Sequence, residues 1–204
     1  MAIVTGEHYF TAEPGTAARD REISFSVAGH EFTLAAASGV FSAGRLDPGT
    51  AVLLRKAPLP DERTEGVLLD LGCGYGPITA VLATVAPRAH VVAVDVNERA
   101  RALARRNVAA LQLDSRVRVT APDEVEENLL FDQVWSNPPI RVGKEELHSL
   151  LLRWLPRLKP DGVAWLVVAK HLGSDSLSAW LVAQGYAVER HASQKGFRIL
   201  RVTR

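Results

Sequence analysis

The chain has 204 residues, 47% of them hydrophobic, with 24 Lys and Arg against 23 Asp and Glu. That length supports one substantial core, and a net charge of +1 is too small to make the whole surface a trap for polyanions, so any nucleic-acid binding has to come from local patches. No run is long and apolar enough for a membrane helix and no basic, apolar leader opens the chain, which reads as a cytoplasmic protein without a membrane partner. The lone Cys73 has neither a disulfide partner nor neighbouring zinc ligands, so no metal is expected.

The first elements are β-like. Residues 22–27 and 31–35 read as a hairpin turning at Ala28-Gly29-His30, after which Asp47-Pro48-Gly49 opens a short helix running to about Lys56. Residues 1–60 are expected to be an N-terminal extension packed on a catalytic domain over 61–204. There, strands are predicted near 67–71, 90–95, 116–120, 131–136, 162–169, 185–190 and 196–203, and helices near 76–86, 97–113, 143–155 and 174–184. Strands alternating with amphipathic helices give an α/β fold, a parallel sheet covered on both faces. The last two strands stand too close for a crossover helix and must form an antiparallel hairpin.

The first of these strands closes in a glycine-rich turn, Asp70-Leu71-Gly72-Cys73-Gly74-Tyr75-Gly76. Glycines remove side chains where a ligand approaches the backbone, and the helix that follows offers free N–H groups to an anion. About twenty residues on, the second strand ends in Asp95, the spacing of a ribose-hydroxyl acceptor, followed by Val96. The glycine order differs from that of pyrophosphate binders, and Asp70 would repel a phosphate. An acid there suits a ligand with an ammonium group. S-adenosylmethionine carries an ammonium, a sulfonium, a ribose and no phosphate, so a methyl donor fits better than NAD. The donor pocket is read over Asp70, Gly72, Cys73, Gly74, Gly76, Asp95 and Val96, with Cys73 packing as a small residue in the turn.

The fourth strand ends in Asn137-Pro138-Pro139-Ile140. Two prolines stop the strand and turn carbonyls outward, so the Asn137 carboxamide oxygen and the Pro138 carbonyl can hold the N–H groups of an incoming amine. A planar amine on a base needs such a clamp, because its lone pair is delocalised into the ring and must be aimed. Asn137 as a plain turn residue is the competing reading. Arg141, Lys144, Lys170, His171 and Lys195, with His191, follow strands whose carboxyl ends face the same crevice; each taken singly reads as an ordinary solvated charge, and as a group they read as a modest positive rim for phosphates. Arg99, Arg101, Arg105 and Arg106 read as a solvated helical face, with Asn97 as that helix's cap. Trp154, Trp165 and Trp180 read as packing groups.

With both motifs in place the chain resembles class I S-adenosylmethionine-dependent methyltransferases, and within them the "methyltransferase small" domain family that includes ribosomal RNA guanine-N2 methyltransferases. The resemblance runs through His8-Tyr9-Phe10, Ser38-Gly39-Val40-Phe41-Ser42, Leu46-Asp47-Pro48-Gly49-Thr50, the glycine turn, 136–144 and Lys195-Gly196-Phe197-Arg198-Ile199-Leu200. It implies a Rossmann-like sheet of seven strands, the last antiparallel, with helices on both faces and the small N-terminal β-hairpin added. It also implies donor contacts at Gly72, Gly74 and Asp95, and target-base contacts at Asn137 and Pro138. Two positions depart from the pattern. Ile140 stands where many relatives carry an aromatic residue, and Phe41 is either its replacement over the target base or a core phenylalanine. The acid expected just after the third strand comes only at Asp123, the candidate adenine contact. The expected activity is methyl transfer to an exocyclic amine, guanine N2 of ribosomal RNA, with RNA or a ribosomal subunit as partner. Protein glutamine or adenine methylation, and a non-catalytic RNA-binding or assembly module of the same fold, remain as alternatives.

Overall fold

Alternating apolar strands and amphipathic helices assemble, in the computed structural model, around one seven-stranded sheet; the structure describes residues 20–37, 45–139 and 143–204. A two-stranded hairpin, β1 (Asp20–Val27) and β2 (His30–Ala37), precedes helix α1 (Pro48–Lys56). Then follow β3 (Glu65–Leu71), α2 (Pro77–Val85), β4 (Arg88–Val94), α3 (Glu98–Ala110), β5 (Val117–Thr120), β6 (Phe131–Ser136), α4 (Lys144–Trp154), β7 (Leu158–Ala169), α5 (Ser174–Ala183), β8 (Ala187–Gln194) and β9 (Phe197–Thr203). The strand order is β5-β4-β3-β6-β7-β9-β8. Neighbours from β5 to β7 are parallel, and β9 runs antiparallel to both β7 and β8.

Side-chain alternation sorts the core onto two faces. Leu68, Trp135, Trp165, Val167 and Ile199 pack towards α1, α2, α3 and the hairpin, whereas Leu69, Leu71, Val134, Leu166, Val168 and Leu200 pack towards α4 and α5. Trp135 and Trp154 are fully buried, in keeping with packing roles. Trp180 is only partly buried and stacks on His148, ring centroids 3.7 Å apart.

Local chemistry explains the helix ends. Asp47 caps α1 by accepting from the Thr50 N–H at 2.9 Å, and Asn97 caps α3 by accepting from the Ala100 N–H at 3.2 Å. Helix α2 has no basic residue in its last turn, and Arg116, just before β5, supplies the cation, donating to the Ala83 carbonyl at 3.0 Å. Asn107, buried on the inner face of α3, accepts from the Ala35 N–H at 2.7 Å and donates to the carbonyls of Ala35 and Tyr75, both at 2.8 Å. One side chain thus ties the hairpin, α3 and the glycine turn together.

Two turns are tighter than the sequence reading expects. His30 belongs to β2, because the hairpin closes on Ala28 and Gly29 alone, at φ 52° and 81°. The expected loop from His191 to Lys195 is mostly strand: β8 extends to Gln194, and Lys195 with Gly196, at φ 49° and 81°, makes a two-residue turn. The Lys170 N–H donates to the Gly196 carbonyl at 2.8 Å, which pins that turn to the carboxyl end of β7. His191 therefore lies within β8, its ring edge-on to Trp165 at 5.0 Å and its Nε2 3.1 Å from the Lys56 carbonyl.

Candidate active site

Strand order reverses at β3, with β4 on one side and β6 on the other, so the connections leave in opposite directions and a crevice opens beyond the strand ends. The ends of β3, β4 and β6 deliver Gly72 to Gly76, Asp95 and Asn137 to that crevice. Ser136 Oγ donates to the Leu71 carbonyl at 2.7 Å, which fixes the two motif-bearing strands against each other at their tips.

The glycine turn is held from below. The N–H groups of Gly72 and Cys73 both donate to the Val94 carbonyl, at 2.8 and 3.0 Å. Gly72 and Gly74 adopt φ of 78° and 56°, and a Cβ added to either would meet nothing within 4 Å. The turn therefore needs glycine for its backbone conformation and leaves open space on the ligand side. Cys73 packs with Ala93 and Ala104, and burial pushes its thiol well above the usual range, so it is inert filler.

Asp95 braces the turn. Its Oδ2 accepts from the Gly74 N–H at 2.8 Å and its Oδ1 from the Asn97 N–H at 2.9 Å, while Arg101 donates to the carbonyls of Asp95 and Val96 at 2.8 and 2.9 Å. Burial raises the Asp95 carboxyl despite those donors. Val96 beside it is 45% exposed, an apolar surface at the strand end.

Asp70 is fully buried. Its Oδ2 accepts from the Thr79 N–H at 2.9 Å and the Thr79 hydroxyl at 2.6 Å, and its Oδ1 has no partner. Burial pushes this carboxyl up to about 7, opposed by the Thr79 donors. An orphaned carboxylate oxygen beside an open glycine turn is the complement of a ligand ammonium group.

Across the crevice Asn137 is half-buried and Pro138 buried. Asn137 Nδ2 donates to Asp47 Oδ2 at 2.7 Å and to Thr50 Oγ1 at 3.1 Å. Gly49 lies against this group: a Cβ there would stand 2.9 Å from Asp47 Oδ2, 3.1 Å from Phe197 Cε1 and 3.3 Å from Asn137 Oδ1. The start of α1 and the β8–β9 hairpin thus close on the Asn-Pro-Pro segment. Tyr75 joins from the glycine turn, with a buried hydroxyl that lacks a partner and a phenol raised by burial and by the charge of Asp47.

Sequence reasoning took Asp47 only as a cap and overlooked Thr50, Tyr75 and Phe197 as site residues. The signal available for Asp47 and Thr50 was a pair of polar residues in the segment opening α1. Of the expected rim, Lys144 opens α4 and Lys195 sits in its turn, both exposed, with Lys170 and His171 just after β7. Asp123 follows β5 as expected, but its exposed carboxylate pairs with Arg153 of α4 at 2.8 Å. Phe41, Ile140 and Arg141 lie outside the described residues, and among the described residues no His, Cys, Asp and Glu cluster could hold a metal.

A nucleotide-type sheet with a reversed last strand, an acid before its glycine turn and an Asn-Pro-Pro at the next strand tip defines a Rossmann-like methyltransferase. The profile of the methyltransferase small domain matches residues 31–201, and the chain belongs to that family. Its cofactor is S-adenosylmethionine, which the orphaned Asp70 oxygen and the open turn at Gly72 and Gly74 fit. The uncharacterized protein YbxB of Bacillus subtilis is 32% identical over 198 residues, covering 96% of this chain and 97% of that protein. Ribosomal RNA small subunit methyltransferase C of Shewanella loihica is 32% identical over 167 residues, 79% of this chain and 47% of the relative. Among solved structures, the T. thermophilus 16S rRNA N2 G1207 methyltransferase (RsmC), in complex with AdoMet and guanosine, superposes with a TM-score of 0.73 at 26% identity, over 95% of this chain and 52% of that one. The chain spans about half the length of the ribosomal RNA methyltransferases it resembles.

Proposed function

We propose that this methyltransferase modifies the exocyclic N2 amine of guanine in ribosomal RNA. The observation that carries the reading is Asn137: its amide nitrogen is committed to Asp47 and Thr50, so its carboxamide oxygen is the end left to accept from an amine. Kinship with ribosomal RNA methyltransferases supports the substrate class.

Bound S-adenosylmethionine supplies an electrophilic methyl group on a sulfonium. The residues around it do the rest. Asp70 Oδ1 receives the donor's ammonium group, Asp95 accepts from the ribose hydroxyls through its remaining lone pairs, and Val96 offers an apolar surface to the adenine. Asn137 Oδ1 and the Pro138 carbonyl accept the two N–H groups of the target amine and aim its nitrogen at the methyl carbon. The base reaches the crevice only when swung out of its stack, and Lys144 and Lys195 on the rim hold flanking phosphates. Asp123 remains the adenine candidate on sequence grounds and would have to leave Arg153 to serve.

Incubating the protein with labelled donor and unmodified ribosomal RNA, then digesting to nucleosides, tests the proposal. Label is expected in N2-methylguanosine. Label confined to N6-methyladenosine, or to protein, overturns it.

A further inference from the structure

We infer that Asp47 is a positioning residue for methyl transfer: with Thr50 it locks the Asn137 carboxamide so that Oδ1, and not Nδ2, is presented to the incoming amine. This rests on the reading of Asn137 as the amine acceptor, but its geometry stands independently. An amide side chain has a donor end and an acceptor end that exchange on a half-turn, and an Asn free to flip would spend part of its time offering N–H groups to an amine that also carries N–H groups. A carboxylate can only accept. With Asp47 Oδ2 at 2.7 Å the nitrogen must face it, since the flipped amide would set two oxygens against each other at hydrogen-bond distance.

The lock is itself held. Asp47 Oδ2 also accepts from the Thr50 N–H at 2.9 Å as the cap of α1, so the carboxylate is anchored to the helix start. Thr50, which is buried, adds its hydroxyl oxygen as a second acceptor for Asn137 Nδ2, 3.1 Å away. Gly49 lets the assembly close, because a Cβ would press on Asp47 Oδ2, on the Phe197 ring and on Asn137 Oδ1. Contact between residues ninety positions apart is thereby turned into the orientation of one amide.

Capping and locking can be separated. Asp47→Ser keeps a hydroxyl that caps α1 but is too short to hold Asn137, whereas Asp47→Asn can still present an oxygen to both donors. For Asp47→Ser, kcat on RNA is expected to fall on the order of tenfold to a hundredfold, with donor affinity and thermal midpoint near those of the wild type. Asp47→Asn should restore kcat to within about threefold of the wild type. A second readout needs no substrate: the Asn137 side-chain amide protons, followed by nitrogen-15 NMR, should exchange slowly in the wild type and faster in Asp47→Ser. Wild-type kcat in Asp47→Ser, or amide exchange indifferent to that substitution, overturns the inference. A wild-type protein inert on RNA would sink the proposed reaction, while the exchange measurement would still decide whether Asp47 locks the amide.

Discussion

Asp70 is where a single residue couples structure to pH. Its carboxyl is held up to about 7 by burial, and its orphaned oxygen is available to an ammonium only when ionised. Donor affinity should therefore fall as pH drops through 7, by up to about tenfold per unit, with a proton released on binding below that pH. Calorimetry in two buffers of different ionisation enthalpy would detect the proton, and a flat profile between about pH 6 and 8 would remove Asp70 from the ammonium site. The sign for folding is opposite to that of a salt-bridged acid. The native state keeps a proton that the unfolded chain loses above the ordinary value of 3.8, so this group opposes folding increasingly as pH rises from there towards 7. Asp95 carries a double load. Asp95→Ala should weaken donor binding on the order of tenfold to a hundredfold by removing charge-assisted hydrogen bonds. It should also lower the melting temperature, because the N–H groups of Gly74 and Asn97 lose their acceptor.

At the level of elements, the hairpin and α1 share a core cluster with the sheet: Phe32, Leu34, Leu53 and Leu54 pack with Leu68, Trp135 and Trp165. The hairpin's polar attachment runs through Asn107, which sits at helical spacing among Ala100, Leu103, Ala104 and Val108 on the buried face of α3. An asparagine there looks like a defect in an apolar stripe until its three partners on β2 and the glycine turn are seen. Asn107→Ala should cost about 3 kcal/mol, because buried backbone groups on two other elements lose their partner together. A urea midpoint unchanged by the substitution would mean that water replaces the amide. The boundaries of β8 teach a similar lesson. Its residues Ala187–Gln194 are all exposed or half-buried, so no clean apolar alternation carried the expected strand past residue 190; pairing with β9 and the positive φ of Lys195 and Gly196 decided where it ends.

For the whole molecule, a net charge of +1 leaves the proposed RNA binding to the cations near the carboxyl face of the sheet, Lys144, Lys170 and Lys195 among them. Activity on ribosomal RNA should fall with salt along a log–log slope of about −0.7 per phosphate contacted, and Lys195→Ala should flatten it by about one such step. A slope near zero would place the substrate among neutral peptides. No helix among the described residues is long and apolar enough to cross a membrane.

The sequence alone determined the sheet, its glycine turn, and the placing of Asp70, Asp95 and Asn137 at strand tips, because each lies where a local pattern breaks: a strand's apolar run stops at a residue with distinctive turn or hydrogen-bond chemistry. Those signals act over a few positions and need no partner to be read. What the tertiary structure alone decided is how the tips are held: Asp47 and Thr50 on the Asn137 amide, Phe197 against Gly49, Asn107 across three elements, Arg116 on the end of α2. Each is a pairing of groups far apart in the chain. Each residue, taken locally, has an adequate and different explanation as a cap, a strand residue or a surface charge, and only the closure of α1 and the hairpin onto the sheet brings the donors to their acceptors.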